Sequence, residues 1–368
     1  MMHIRVQRGD FLSILAQVQG VVETKKTLPI LSHLLLEAGE TGLSVFGTDL
    51  DVGIRSAIPA EILTPGAIAL SAKKLYEIIR ELPEAPVELR VQEELNAEIT
   101  CQRSRFKVKG LPKDEFPARP EITGEGGLRM SPDTLRSMIQ RTAFAVSTDQ
   151  TRYTLTGALL QVTQTEARMV ATDGHRLAMA RAPREQVTGD GLTEALLPRK
   201  ALLEAAKALR DDGQEIRLIP LGNQVAFDLR GTLLVCRLID GQFPNYQQVM
   251  PAVQGRGLTV KKEELMGALK RTSTIIGDRT APTVLDFKRG RLTVSCVNLD
   301  LGEAREEVEV QHAEKDLTAG FNARYILDFL AVVDEPEVSI HLNDPLSPAL
   351  FRPLQGQDYS CVIMPMRI

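Results

Sequence analysis

Of five histidines in the 368 residues, one lies where chemistry could occur: His175, in Thr172-Asp-Gly-His-Arg-Leu177. An acid two positions from an imidazole could begin a nucleophile relay or a metal pair, because a carboxylate can orient a ring that exchanges protons near neutral pH. A hydrolase built on Asp173 and His175 is thus one reading. The chain itself argues against it. Leu43-Ser-Val-Phe-Gly-Thr-Asp49 matches Arg168-Met-Val-Ala-Thr-Asp173 at a shift of 124, with no histidine after the acid. At a shift of 249, Leu292-Thr-Val-Ser-Cys-Val-Asn298 matches again, with an amide for the acid. An Asp or Asn that recurs without its imidazole fits a turn, where a short polar side chain closes on backbone N–H groups. His175 then reads as a surface or binding residue.

No G-x-S-x-G, H-E-x-x-H, phosphate-loop or dinucleotide glycine pattern occurs, and Gly124-Glu-Gly-Gly127 reads as a linker. Cys101, Cys236, Cys296 and Cys361 lie far apart in strand-like segments, without Cys or His at ligand spacing. They read as buried reduced thiols, and neither a metal nor a cofactor is expected. Hydrophobic residues at 43% and charged residues at 25% describe a globular protein able to bury a sizeable core. Lys and Arg total 44 against 48 Asp and Glu, so bulk charge cannot hold nucleic acid and any positive surface is local. No apolar run approaches the roughly 20 residues of a membrane span, and Met1 to Asp10 has no signal-like core. A cytoplasmic protein is expected.

The elements that must position these residues repeat three times. Each copy opens on an amphipathic helix, expected at Asp10 to Gly20, Ser131 to Arg141 and Lys261 to Arg271. Apolar positions such as Phe11, Ile14, Leu15 and Val18 fall on one helical face, and Ser131-Pro132 is a capped start. Alternating strands follow, then a second helix at Ser71 to Leu82, Pro198 to Arg210 and Asn322 to Val333. Two helices among many short strands give an α+β fold of three repeated domains. Proline-rich connectors, with Phe116-Pro117 matching Phe243-Pro244, set the boundaries at 1–122, 123–252 and 253–368.

Basic residues concentrate on the helices. Lys73, Lys74 and Arg80 share one, Arg199, Lys200 and Lys207 its counterpart, while Glu303, Glu306, Glu307 and Glu309 crowd a strand. A chain acidic in sum but basic on its helices suggests an anionic partner on the helix side alone.

The three-fold repeat, Thr27-Leu-Pro-Ile-Leu31 with Gly47-Thr-Asp49, Ala171-Thr-Asp-Gly-His-Arg-Leu177, Gly241-Gln-Phe-Pro-Asn-Tyr246 and Val362-Ile-Met-Pro-Met-Arg-Ile368 resemble the β-subunit family of bacterial DNA polymerase III, the replicative sliding clamps. The resemblance implies a head-to-tail homodimer, with two helices per domain on an inner face, antiparallel sheets outside, and six domains closing into a ring around duplex DNA without sequence specificity. Such a clamp tethers the polymerase and has no catalytic site. Twelve lining helices at about 10 Å each would trace roughly 120 Å, a circle about 38 Å across with an opening near 28 Å, wide enough for a hydrated duplex.

Carried onto this chain, the family pattern implies that Lys25, Lys73, Lys74, Arg80, Arg152, Tyr153, Arg199 and Lys200 face DNA. It also implies a groove for short linear motifs of polymerases, the clamp loader and repair proteins. That groove would be formed by Leu155, Thr172, Gly174, His175, Arg176, Leu177, Pro244, Val249, Asn322, Tyr325, Leu346, Val362, Met364, Pro365, Met366 and Arg367, with Arg176 or Arg367 holding polar ends. Without the resemblance, Met364 and Met366 read as core. The dimer seam would involve Thr274 and Ile275 opposite Lys73, Lys74 and Leu82. The chain departs from the family pattern at Asp149, Thr154, Gln248 and Thr280. A protein-binding scaffold that stays monomeric is the remaining alternative.

Overall fold

Among the described residues, each of six α-helices starts at the end of a strand. Helix α1 (Arg8–Val18) follows His3–Gln7, α2 (Ala72–Glu81) follows Gly66–Ser71, and α3 (Pro132–Thr142) follows Leu128–Met130. Helices α4 (Arg199–Ala208), α5 (Lys262–Thr272) and α6 (Ala323–Leu330) follow Glu194–Pro198, Leu258–Lys261 and Leu317–Phe321. These elements belong to a computed structural model that describes residues 2–22, 28–118, 126–252, 257–276, 281–311, 316–356 and 358–368. Lys25, Thr280 and the first domain boundary lie outside the described residues.

The helix starts follow local chemistry. Ser131 Oγ accepts from Thr134 N at 3.1 Å ahead of Pro132, whose missing N–H needs no partner at that position. Asn322 Oδ1 likewise accepts from Arg324 N at 3.0 Å. Several ends differ from the sequence reading by one to three residues. Helix α1 begins two residues earlier, straight out of its strand, and α6 ends at Leu330. Buried Phe11, Ile14, Leu15 and Val18 form one stripe of α1, which packs on α2 and on the strand Val52–Ile58. Truncating Phe11 to alanine there would cost about 3–5 kcal/mol.

Packing gathers the chain into two compact units. One comprises residues up to Leu135 with Val187–Leu192 and Lys200–Leu238, and holds a five-stranded and a nine-stranded sheet. The other comprises Arg136–Gln186, Thr193–Arg199 and Ile239–Ile368, and holds a twelve-stranded sheet. The middle repeat contributes to both. Every ladder is antiparallel.

Two of these ladders join successive repeats in the same way. In the first unit, Thr232–Arg237 runs against Val52–Ile58, with Leu234 opposite Ile54. In the second, Tyr359–Ile363 runs against Arg176–Pro183, with Val362 opposite Leu177. Each joint continues in a further bond just beyond the ladder: Arg237 N donates to Asp51 O at 2.8 Å, and Met364 N to His175 O at 2.9 Å. The four cysteines are buried and unpaired. Burial pushes the Cys236 and Cys361 thiols up to about 12. Among the described residues, no helix is long and apolar enough to cross a membrane.

Candidate partner groove and basic surface

The repeated Asp or Asn closes one kind of turn three times. Asp49 Oδ1 accepts from Asp51 N and Val52 N at 3.0 and 2.7 Å. Asp173 Oδ1 accepts from His175 N and Arg176 N at 2.9 and 3.0 Å, and Asn298 Oδ1 from Asp300 N and Leu301 N at 2.9 and 3.2 Å. The second residue of the turn has positive φ in two copies, 80° at Leu50 and 87° at Gly174. Glycine takes that conformation without the steric cost leucine bears. The Asp173 carboxylate thus holds backbone at His175 rather than its ring, which stays exposed.

The other oxygen of Asp173 accepts from Arg176 Nε at 3.1 Å. Arg176 also donates to Asp328 Oδ2 and to the Phe144 carbonyl, both at 2.6 Å, and its guanidinium lies between the rings of Tyr325 and Phe144, 4.4 and 5.0 Å from their centroids. At 9% exposure it is an internal strut. The expectation that Arg176 holds a peptide's polar end is corrected: every face of its planar fork is occupied within the protein. Sequence reading missed Phe144 and Asp328, its partners. Burial raises the pKa of the Tyr325 phenol, and the Asp173 charge adds to the rise. Beside this strut lies a cavity of about 740 Å³, walled by Arg152, His175, Arg199 and Arg324 together with Asp149.

The expected groove residues divide into floor and rim. Leu177 and Val362 are buried in a cluster with Leu159, Val170, Met179, Phe243 and Tyr246, against which Leu155 and Met250 pack. Exposed around them are Gly174, His175, Pro244, Val249, Leu346, Met364 and Arg367, while Thr172, Asn322, Tyr325, Pro365 and Met366 are half-buried. Met364 at 40% and Leu346 at 75% exposure are large apolar side chains left in water. The core reading of Met364 is therefore wrong: its N–H bond to His175 O holds the backbone at the rim, so the thioether is left uncovered. A flexible thioether beside buried aliphatic groups suits an apolar ligand of variable shape.

The basic residues are also of two kinds. Lys73, Lys74 and Arg80 are exposed on α2 and meet neighbours on that helix, Lys73 with Glu77 at 4.0 Å, Lys74 with Glu77 at 2.8 Å and Arg80 with Glu81 at 2.9 Å and, 5.9 Å from its centroid, the Tyr76 ring. Such pairs hold charges weakly. Lys200, by contrast, donates to Asp49 Oδ2 at 2.6 Å and to the Val21 carbonyl at 2.7 Å. Arg199 is exposed but its Nε reaches the Ala143 carbonyl at 3.3 Å, and Arg152 Nη1 holds the Asp173 carbonyl at 2.8 Å. Tyr153 is exposed in a short 3-10 turn, Tyr153–Leu155. Of the residues expected at a seam, Thr274 is exposed and Ile275 half-buried, but Leu82 is only 6% exposed. It closes α2 against its own module, so it is corrected to core.

Sequence models of the DNA polymerase III beta subunit match three successive stretches: the N-terminal domain over residues 2–120, the central domain over 129–245 and the C-terminal domain over 247–367. The chain belongs to the DNA polymerase III β-subunit family. Relatives include the beta sliding clamps of Caulobacter vibrioides, 35% identical over the full length of both chains, and Pseudomonas aeruginosa, 34% identical over the same span. Among solved structures, a Caulobacter crescentus β sliding clamp carrying bound polyethylene glycol aligns with a TM-score of 0.91 at 34% identity, over 100% of this chain and 99% of that one. A Bartonella birtlesii clamp bound to griselimycin aligns at 0.91 and 33% identity over all of both chains. The fold is that of the β-subunit family, three repeated clamp domains of helices and antiparallel sheet. Family membership favours the clamp reading over a hydrolase, in agreement with the use of Asp173 as a turn residue.

Proposed function

We propose that this chain is a sliding clamp whose homodimer closes a six-domain ring around duplex DNA and tethers polymerases and other proteins through the groove at Leu177, Val362 and Met364. Exposed basic residues on α2, with Arg152, Tyr153 and Arg199, would attract the phosphate backbone through solvent without docking to base edges, so the ring slides. Retention then comes from enclosure, and no catalytic group is needed. A soluble cytoplasmic location accords with this role.

The observation that carries the proposal is the twice-used joint between repeats, because it leaves one edge of each kind over. Ser104–Lys109, the counterpart of the joining strands Thr232–Arg237 and Tyr359–Ile363, ends the five-stranded sheet and, among the described residues, has a partner on one side alone. Gly302–Gln311, the counterpart of Val52–Ile58 and Arg176–Pro183, is laddered along Arg291–Asn298 but meets Leu258–Lys261 only at Val310 and Gln311. The first edge carries Arg105, Lys107 and Lys109; the second carries Glu303, Glu306, Glu307 and Glu309. Two unfilled edges of opposite charge on one chain suit head-to-tail closure by a second copy.

The internal joint also gives a register. The pair Cys101 and Ser104 corresponds to the hairpin closure of Leu229 on Thr232, and Val297 opposite Glu303 corresponds to Thr48 opposite Gly53. Transferring Leu234 opposite Ile54 then sets Phe106 opposite Ala304 and Lys107 opposite Glu303 of the second copy. Arg105 falls opposite Arg305, each already paired on its own chain, with Glu98 and Glu307. The decisive experiment loads the protein onto nicked circular duplex and linearises half the sample. Retention on circles with escape from linear ends is expected; equal retention on both would overturn enclosure.

A further inference from the structure

The groove floor continues along the sheet into a charged end. Side chains two apart on a strand share a face, so Leu177, Met179 and Arg181 form one row, and Leu350 and Arg352 another. Met179 stands opposite Ser360, and Arg352 Nε donates to Ser360 Oγ at 3.1 Å. Both guanidinium groups therefore lie one step beyond the apolar floor. Arg181 Nε is buried without a hydrogen-bond partner, and its Nη2 has the Met179 sulfur at 4.0 Å.

The nearby acids are engaged elsewhere. Asp358, whose carbonyl accepts from Arg181 N at 2.7 Å, turns its carboxylate to Arg141 at 2.6 Å. Glu166 is paired with Arg168, which stands opposite Arg181 in the ladder and also reaches Tyr246 Oη at 3.5 Å. Among the described residues, no carboxylate pairs with Arg181 or Arg352. Burial, together with the neighbouring Arg181 charge, lowers the pKa of Arg352. Two half-buried like charges without a counter-ion are an unfavourable arrangement that an incoming anion would relieve.

We infer that a carboxylate flanking the hydrophobic anchors of a groove-bound peptide pairs with Arg181 and Arg352. The inference rests on the groove reading above and adds the chemistry of its partners: an apolar motif with an Asp or Glu on one flank. An acidic peptide is favoured over a nucleic acid strand because the exposed groups bordering that buried floor are apolar, Met364 and Leu346, against which a phosphodiester backbone would lose its hydration.

The test uses the full chain and fluorescence anisotropy with labelled peptides that share hydrophobic anchors and differ by one Asp or Asn on either flank. At about 0.05 M salt the Asp peptide of one flank is expected to bind about tenfold tighter than its Asn twin. Arg181→Gln with Arg352→Gln should erase that ratio and leave the Asn peptide unchanged. Should the double variant unfold, Arg181→Glu alone should prefer a Lys peptide over the Asp one. Met364→Asp should weaken both twins. Equal binding of the twins by the parent protein, with both weakened by Met364→Asp, overturns the inference and spares the groove. Indifference of both twins to Met364→Asp overturns the groove and the inference with it. A short single-stranded oligonucleotide that loses affinity with the arginines, while the twins bind alike, would assign the site to nucleic acid instead.

Discussion

Lys200 Nζ stands 2.6 Å from Asp49 Oδ2, so the hairpin turn before Val52–Ile58 in the first repeat is tied to the first residues of α4 in the second. The lysine's helical counterpart in the first repeat, Lys73, has no such partner and is 82% exposed. One sequence pattern thus yields a strut in one copy and an exposed surface cation in the other.

Separate effects should follow. Lys200→Ala and Asp49→Asn, each and together in urea unfolding, should give a coupling of about 1–2 kcal/mol, because a charge-assisted hydrogen bond is lost from a partly buried pair. Lys73→Ala should leave the urea midpoint unchanged, weaken DNA retention and lower the salt slope by about one unit. The opposite allocation, with Lys200 governing the slope and Lys73 the stability, would contradict the division made here.

Asp173 performs two tasks that substitution can separate. Asp173→Asn keeps an oxygen for the turn, as Asn298 does, but sets an NH2 group where Arg176 Nε had its acceptor. Asp173→Ala removes the turn bonds as well. Losses of about 1 and about 3 kcal/mol are expected, respectively, by thermal or urea unfolding. Equal losses would mean the turn carries none of the stability.

At the proposed seam, Lys107→Glu should place like charges opposite Glu303 and shift the protein from two-chain to one-chain mass in sedimentation at micromolar concentration. Glu303→Lys should do the same. The two together should recover the dimer, since the pair is restored with reversed sign. A double variant no more dimeric than either single one would refute the register.

His341 gives a pH dependence of definite sign. Burial, with the nearby Arg352 charge, lowers its pKa below the ordinary 6.5, so the folded protein favours the neutral ring. The unfolded chain takes up its proton first as pH falls. Stability from this residue is therefore full above about pH 6.5 and is lost as pH drops from there to the lower folded value. Unfolding midpoints at about pH 7.5 and about pH 5.5 should differ less in His341→Gln than in the parent protein. An unchanged difference would assign the dependence to other groups.

Much of the candidate site was legible before any coordinates. Asp49, Asp173 and Asn298 could be equated because a turn closed by a side chain on N–H groups two and three positions ahead is a local device, written within five residues. The helix faces and the Ser131 cap are local in the same sense. Leu82, expected at the seam from the resemblance, and Met364, read as core only without it, show that neither a matching position nor periodicity says whether another segment covers a side chain. The strands of the proposed seam were not singled out for a related reason: Ser104–Lys109 and Gly302–Gln311 are ordinary strands in sequence, and only the ladders reveal that, among the described residues, one edge of each is largely unpaired.

The amino-acid order alone determined three copies of one α+β module, four thiols in strands, and basic helices in an otherwise acidic chain, since these depend on composition and short-range spacing. The tertiary structure alone decided which charges remain available. Lys200 finds Asp49 across 151 positions and Arg176 finds Asp328 across 152, whereas Arg181 and Arg352 meet no acid at all among the described residues. Pairing at such separations follows from strand register and helix packing, which bring distant segments to within 3 Å and are not encoded in any local window.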